Sequence, residues 1–150
     1  MLSSFFEVGG SAPMRKELFH AKNIDEYLNN NVTNMIDDKL SNYLNTLVCI
    51  KDTTIPQIAE ISGLDKGYVY HIFAGRKTPS RDKLIAIAYG LGLSDTETQQ
   101  LLKISGNREL YVKDKRDAII LYCLHNQKDI RETNDLLYEH GLEILGKVKD

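Results

Sequence analysis

The most constraining feature of this chain is the stretch over residues 54–93, where two short helices are predicted on either side of a glycine turn. Thr54 is a residue type that caps helix N-termini, because its hydroxyl accepts a hydrogen bond from a first-turn amide. Gly63 ends that helix, since glycine accepts the left-handed conformation of a C-cap. Asp65 caps the next helix, and Leu64 is expected to fill the space beneath the turn. The spacing therefore predicts two short helices that cross at a tight turn.

The helix after the turn has an apolar side and a polar side. Val69, Ile72 and Phe73 recur at helical spacing and are expected to face the core. The positions that point away from this side are Lys66, Gly67, Tyr70 and His71. In the helix before the turn, a short stripe is expected to be buried and consists of Ile58, Ala59 and Ile61.

The residues that follow extend this pattern. A glycine, an arginine, a proline and a serine precede apolar residues at helical spacing, and these are Gly75, Arg76, Pro79, Ser80, Leu84, Ile87, Ala88, Leu91 and Leu93. Together with the two short helices, they resemble the lambda-repressor-like family of helix-turn-helix proteins, of the Cro/repressor type often labelled Xre. The resemblance implies an all-α bundle of that kind with added helices at both ends, and it implies a DNA-binding transcriptional regulator.

In that family the second helix of the pair lies in the major groove of DNA. The resemblance places the helix over residues 65–74 there, and the base-facing residues are then Lys66, Gly67, Tyr70 and His71. Lys66 is the side chain best suited to read a base, because a lysine donates to O6 and N7 of guanine. One such helix covers few base pairs, so the expected partners are double-stranded DNA and a second copy of the chain on a two-fold operator.

Affinity for a duplex comes largely from cations that neutralise phosphates. The whole chain has a formal net charge of -2, but residues 51–81 carry five basic and three acidic side chains. The residues assigned to phosphate contacts are Thr54, Arg76, Lys77 and Arg81.

A second hypothesis keeps the same fold but assigns it to protein binding. The net charge is acidic, Gly67 has no side chain with which to read a base, and Ile55 stands where the family often has a polar glutamine. A helical adaptor would bind a protein partner through the tyrosine-bearing face of residues 65–74 or through its C-terminal helices. Salt-sensitive binding to a duplex distinguishes the two hypotheses.

Three regions are predicted along the chain. Residues 1–22 are expected to form a flexible leader, because Gly9, Gly10 and Pro13 interrupt them. Residues 23–93 form the helix-turn-helix domain, with an added helix near 23–30 and a first family helix near 33–50. Residues 94–150 form a helical extension packed on that domain.

The extension contains an internal similarity at an offset of 35 residues. Residues 81–106 and 116–141 align without gaps, and eight of the 26 positions are identical. Each copy is predicted to be a pair of helices that begins with Arg-Asp and ends at a glycine. Two aromatic residues near and within the second copy, Tyr111 and Tyr122, are expected to be buried in the monomer, and the alternative is that they contact a second copy or a partner protein.

No pattern in the chain indicates catalysis. The four histidines lack metal-ligand spacing, and no nucleophile motif or phosphate-binding glycine loop is present. Cys49 and Cys123 lie in apolar helical runs and are expected to be buried, reduced thiols. We therefore predict a protein that is not an enzyme and that holds no cofactor and no metal. The lack of a long apolar segment or a basic leader predicts a cytoplasmic protein without a membrane partner.

Overall fold

The computed structural model describes residues 11–31 and 38–146, and within these ranges it consists of helices without any strand. Numbered in chain order, the helices are α1 (Ser11–His20), α2 (Ile24–Asn30), α3 (Asp38–Ile50), α4 (Ile55–Ser62), α5 (Lys66–Phe73), α6 (Arg81–Leu91), α7 (Asp95–Ile104), α8 (Lys115–His125) and α9 (Ile130–Glu139). The predicted all-α class is confirmed for this part of the chain. No helix in these ranges combines the length and the apolar character needed to cross a membrane.

Contacts divide the chain into two compact units, residues 1–35 and 36–150. In the first unit, Asn23 caps α2 by accepting a hydrogen bond of 2.8 Å from the amide of Glu26. The Asn31 amide nitrogen donates to a carboxylate oxygen of Glu17 at 2.7 Å and so ties the end of α2 to α1.

The first unit differs from the prediction in two respects. The leader expected over residues 1–22 contains a helix from residue 11, and residues 1–10 lie outside the described part. The helix predicted near 23–30 belongs to this unit rather than to the domain over 23–93. Two of its large apolar side chains, Ile24 and Leu28, are exposed.

The second unit has one apolar core to which α3 and all later helices contribute. The fully buried side chains include Leu44 of α3, Ile58 of α4, Leu84 of α6 and Leu137 of α9. Among the described residues, the helix predicted near 33–50 begins at Asp38. Residues 33–37 lie outside them.

Helices α4 and α5 have the predicted local structure. Thr54 accepts a hydrogen bond from the amide of Gln57 at 3.3 Å, and Gly63 ends α4 with a φ of 76°. Asp65 caps α5 by accepting from the amide of Tyr68 at 3.0 Å. These caps depend on residues close in sequence, so the pattern predicts them well.

Helix α4 packs very closely on α6. A Cβ atom added at Gly90 of α6 would lie 2.7 Å from the backbone oxygen of Ile58 and 2.8 Å from its Cγ2. Glycine is therefore needed at this crossing, because any side chain would separate the two helices.

Helices α6 and α7 form one hairpin, and α8 and α9 form another. Helix α9 begins and ends 35 residues after the corresponding ends of α7. Both helices start with a capping box, Ser94 with Glu97 and Asp129 with Glu132. A glycine of positive φ follows each, Gly106 at 78° and Gly141 at 70°.

Several side chains expected in the core are at the surface. Ile61, Tyr111, Tyr122 and Cys49 are exposed, whereas Cys123 is buried as expected. Helical spacing shows which residues share a face, but it does not show whether another helix covers that face.

Candidate nucleic-acid interface

Helix α5 presents one face to solvent. Lys66, Gly67, Tyr70 and His71 are all exposed, with Tyr70 at 42%, whereas Val69, Ile72 and Phe73 are buried. Each residue turns an α-helix by about 100°, so positions i, i+1, i+4 and i+5 share one side. The four candidate base-facing residues therefore form one continuous surface of α5.

Both ends of α5 are held in place. Asp65 caps its N-terminus, and the side-chain amide of Asn45 on α3 donates to the backbone oxygen of Phe73 at 2.8 Å. The buried side of the helix rests on the core between these two points. The exposed face is therefore presented by a helix whose position is fixed.

Gly67 lies at the second helical position, and its missing side chain leaves the N-terminal end of the face open. A Cβ atom at this position would lie 3.1 Å from the Oδ2 atom of Asp65, the oxygen that accepts the capping hydrogen bond from Tyr68. The close approach of a ligand backbone is sterically easy here, but Gly67 itself offers no side-chain donor.

Tyr68 is a part of this region that the sequence pattern did not single out. Its ring lies 4.5 Å, centroid to Nζ, from Lys83 and 5.7 Å from Lys77. Burial raises the pKa of the Tyr68 phenol above its ordinary value. Lys83 is only 3% exposed, so its ammonium group makes a cation–π contact with the ring from the buried side. The side chain of Lys77, assigned to a phosphate contact, is thereby placed next to α5.

Thr54 is exposed at the start of α4, and its hydroxyl oxygen accepts the capping hydrogen bond from Gln57. A threonine hydroxyl also carries one donor, which suits a phosphate oxygen. Next to it, the Thr53 hydroxyl donates to the side-chain oxygen of Gln57 at 3.1 Å. Gln57 is exposed and is a further polar residue that the sequence analysis missed.

Arg81 does not belong to this surface. Its guanidinium makes two hydrogen bonds to Asp117, of 2.9 and 3.1 Å, and two more to the backbone oxygens of Arg108 and Glu109. Its side chain is 18% exposed. The predicted phosphate contact of Arg81 is therefore corrected: Arg81 links α6 to the second hairpin.

A second basic residue of the 51–81 segment is also engaged elsewhere. Lys51 donates to both carboxylate oxygens of Glu97, at 3.0 and 2.8 Å. The remaining basic side chains of this segment are Lys66, Arg76 and Lys77, all of them exposed. With Lys51 and Arg81 paired to acids outside the segment, three basic and three acidic side chains remain within it, so the electrostatic attraction of this face is weaker than composition indicates.

Another surface lies between the end of α4 and helix α9. A groove of about 510 Å³ is lined by Ile61, Ile130, Tyr138 and Ile144, among others. Ile61 is 48% exposed and Tyr138 is 79% exposed. Within residues 11–31 and 38–146, no group of three or more His, Cys, Asp or Glu side chains is arranged to hold a metal ion.

Comparison of the chain with protein-family models, with curated proteins and with solved structures found no match.

Proposed function

We propose that this protein is a DNA-binding transcriptional regulator with a lambda-repressor-like helix-turn-helix of the Xre type, in which α5 enters the major groove. The observation that carries the proposal is α5 itself. It is capped at one end and tied to α3 at the other, and it buries Val69, Ile72 and Phe73 while exposing its opposite face. A short helix held in this way is what base reading requires.

The roles within the proposed interface follow from side-chain chemistry. Lys66 at the first position of α5 donates to guanine O6 or N7, and Tyr70 and His71 lie on the same face. Arg76 and Lys77 neutralise phosphates of the neighbouring backbone, and Thr54 and Gln57 donate hydrogen bonds at the start of α4. With few base-reading side chains per copy, specificity requires a homodimer on a two-fold site.

The test is fluorescence-polarisation binding to a mixed-sequence duplex over a series of salt concentrations. We expect binding to weaken steeply with salt, with a slope of about −0.9 for each phosphate neutralised. The variant Lys66→Ala/Arg76→Ala is expected to bind roughly ten-fold or more weakly and to show a shallower slope.

The matched control is Lys103→Ala/Arg131→Ala, which removes the same charge from exposed positions on α7 and α9. If both double variants lost affinity equally, net charge alone would explain binding and α5 would not be the reading helix. No binding of the unmodified chain at low salt would refute the proposal.

The groove between α4 and α9 supports a second candidate function, that of a protein-binding adaptor. Its exposed residues Ile61 and Tyr138 lie in one groove with Ile130 and Ile144, and contiguous exposed apolar surface of this kind marks protein-binding sites. For an adaptor, we expect no salt-sensitive duplex binding, and Tyr138→Ala would weaken binding of the protein partner while Lys66→Ala/Arg76→Ala would not.

A further inference from the structure

The two hairpins are joined by a reciprocal pair of ion pairs. Arg81 of the first hairpin binds Asp117 of the second with two hydrogen bonds, of 2.9 and 3.1 Å. Arg116 of the second hairpin binds Asp82 of the first with two of 2.8 and 2.9 Å. Positions 81 and 116 correspond at the offset of 35 residues, and so do positions 82 and 117. The arginine of each copy therefore binds the aspartate of the other copy.

Other contacts repeat at the same offset. Nε of Arg81 donates to the backbone oxygen of Arg108 at 2.8 Å, and Nε of Arg116 donates to that of Glu143 at 2.9 Å. The side-chain amide of Gln99 donates to the backbone oxygen of Leu110 at 2.9 Å, and its oxygen accepts from the backbone amide of Leu110 at 2.7 Å.

The second hairpin has the same amide pair. The side-chain amide of Asn134 donates to the backbone oxygen of Leu145 at 2.8 Å, and its oxygen accepts from the backbone amide of Leu145 at 2.7 Å. The structural repeat thus reaches residues 110 and 145, beyond the end of the aligned segments.

This reciprocity defines how the copies are related. In a simple stack of repeats, each unit would contact the next through two different faces. Here the same two positions face the other copy in both hairpins, which is the pattern of an isologous, two-fold contact. The first and second hairpins are therefore arranged as the two halves of a dimer.

We propose that the face of the first hairpin that carries Arg81 and Asp82 is a self-docking surface, and that the second hairpin occupies it within the chain. The partner that fits this face is the first hairpin of a second copy of the chain. In such a pair, each Arg81 would bind Asp82 of the other copy, so both ion pairs would be kept.

The buried polar groups of this face fit the same partner. The Thr133 hydroxyl donates to the backbone oxygen of Asp129 at 2.9 Å, so the Tyr89 hydroxyl 2.6 Å away is the donor to Thr133. Thr98 is the equivalent residue in the first hairpin, and its hydroxyl donates to the backbone oxygen of Ser94 at 2.7 Å. Thr98 thus offers the same acceptor to Tyr89 of a second copy.

The second hairpin of the same chain and the first hairpin of a second copy compete for this face. The second hairpin is tethered to the first by residues 105–114, so its effective concentration is high and it excludes the second copy. Weakening the contact from the side of the second hairpin alone frees the first hairpin's face without changing it. Dimerisation through this face is then expected.

The experiment measures the mass of full-length chains by light scattering over a series of concentrations. In Arg116→Asp/Asp117→Arg, like charges would meet at both ion pairs within the chain, while Arg81 and Asp82 stay intact. We expect this variant to have twice the mass of the unmodified chain. Adding Arg81→Asp leaves two acids on the first face, and we expect the doubling to be lost.

A second pair of variants keeps the test decisive. Arg116→Asp/Asp117→Arg/Arg81→Asp/Asp82→Arg restores opposite charges within the chain and is expected to return to the mass of the unmodified chain. Arg116→Ala/Asp117→Ala loosens the second hairpin without repulsion and is expected to dimerise at higher concentration than the charge-reversed variant.

Three results would overturn the proposal. One is a folded double variant that keeps the mass of the unmodified chain, and another is a dimer that survives Arg81→Asp. The third is loss of helical circular dichroism in both double variants, because a second copy would then be unable to replace the second hairpin on this face.

Discussion

At the residue scale, single atoms at helix crossings decide whether this fold can form. Gly90 is the sharpest case, because α4 passes so close that a methyl group would overlap the backbone of Ile58. Gly67 is a helical glycine with a different neighbour, since the nearest atom to an added methyl is a side-chain oxygen, the Oδ2 of Asp65 at 3.1 Å, which also accepts the capping hydrogen bond from Tyr68.

Gly90→Ala is expected to destabilise the protein. Overpacking costs about 1–3 kcal/mol, and it outweighs the gain of about 1 kcal/mol in helix propensity because the neighbour is backbone that cannot move aside. Urea unfolding measures the change in the free energy of unfolding. Gly67→Ala is the control and is expected to cost clearly less, because the nearest atom is 3.1 Å away and belongs to a side chain; equal losses in the two variants would contradict the packing explanation.

At the element scale, each helix of the repeat carries its own start signal, and the two hairpins carry the same one. The capping boxes of α7 and α9 satisfy the same first-turn amides from Ser94 and Asp129. Because these contacts are local, their energies are expected to be alike even though the surrounding sequences differ.

We expect Ser94→Ala and Asp129→Ala each to lower the free energy of unfolding by about 1 kcal/mol. Chemical denaturation with an unchanged m-value is the measurement. Thr96→Ala, at an exposed position within α7, is the control and is expected to have little effect. A neutral effect at one cap would show that the two helices are not equivalent at their starts.

The ion pair between Lys51 and Glu97 joins the end of α3 to the first turn of α7 and makes stability depend on pH. The hydrogen bond from Lys51 holds the pKa of the Glu97 carboxyl below its ordinary value, and the backbone of Ser94 adds to this. A depressed folded-state pKa gives stability that is present above the unfolded pKa and is lost as pH falls through the folded one.

In Lys51→Met, the melting temperature is therefore expected to fall less steeply as the pH drops below the ordinary carboxyl pKa. Its dependence on pH near neutrality is expected to stay unchanged. Melting temperatures across that range measure the effect. Lys103→Met, which removes an exposed lysine of α7, is the control. An equal flattening in the control would assign the effect to net charge.

At the scale of the whole molecule, the two hairpins are coupled through buried charge. Asp117 is almost fully buried and accepts hydrogen bonds from Arg81 and from the backbone amide of Tyr111, at 3.0 Å for the latter. The contact between α6 and α8 therefore depends on an ion pair that is largely desolvated.

Arg81→Ala is expected to cost about 3–5 kcal/mol, because it leaves the buried Asp117 carboxylate without its main partner. Asp117→Ala is expected to cost less, because Arg81 is 18% exposed and keeps its two backbone acceptors. The double variant is expected to cost clearly less than the sum of the two. A double-mutant cycle by urea unfolding measures this coupling. Additive losses would mean that the two residues stabilise the fold independently.

Local physical chemistry was enough to determine much of this protein. The caps at Thr54, Gly63 and Asp65 and the exposed and buried sides of α5 follow from residues a few positions apart. The repeat over residues 81–106 and 116–141 is visible in the sequence itself, as a similarity at an offset of 35 residues. Helical class and most boundaries in the second unit follow from the same patterns, because hydrogen bonds within a helix are themselves local.

Only the tertiary structure decided which charges are engaged and which faces are covered. Arg81 is a basic residue beside a basic loop in sequence, but its partner Asp117 stands 36 residues later and removes it from the candidate interface. Ile61 and Tyr122 have the spacing of core residues and yet are exposed. Helical spacing gives a residue its direction, whereas burial and ion pairing depend on which distant segment lies in that direction once the chain has folded.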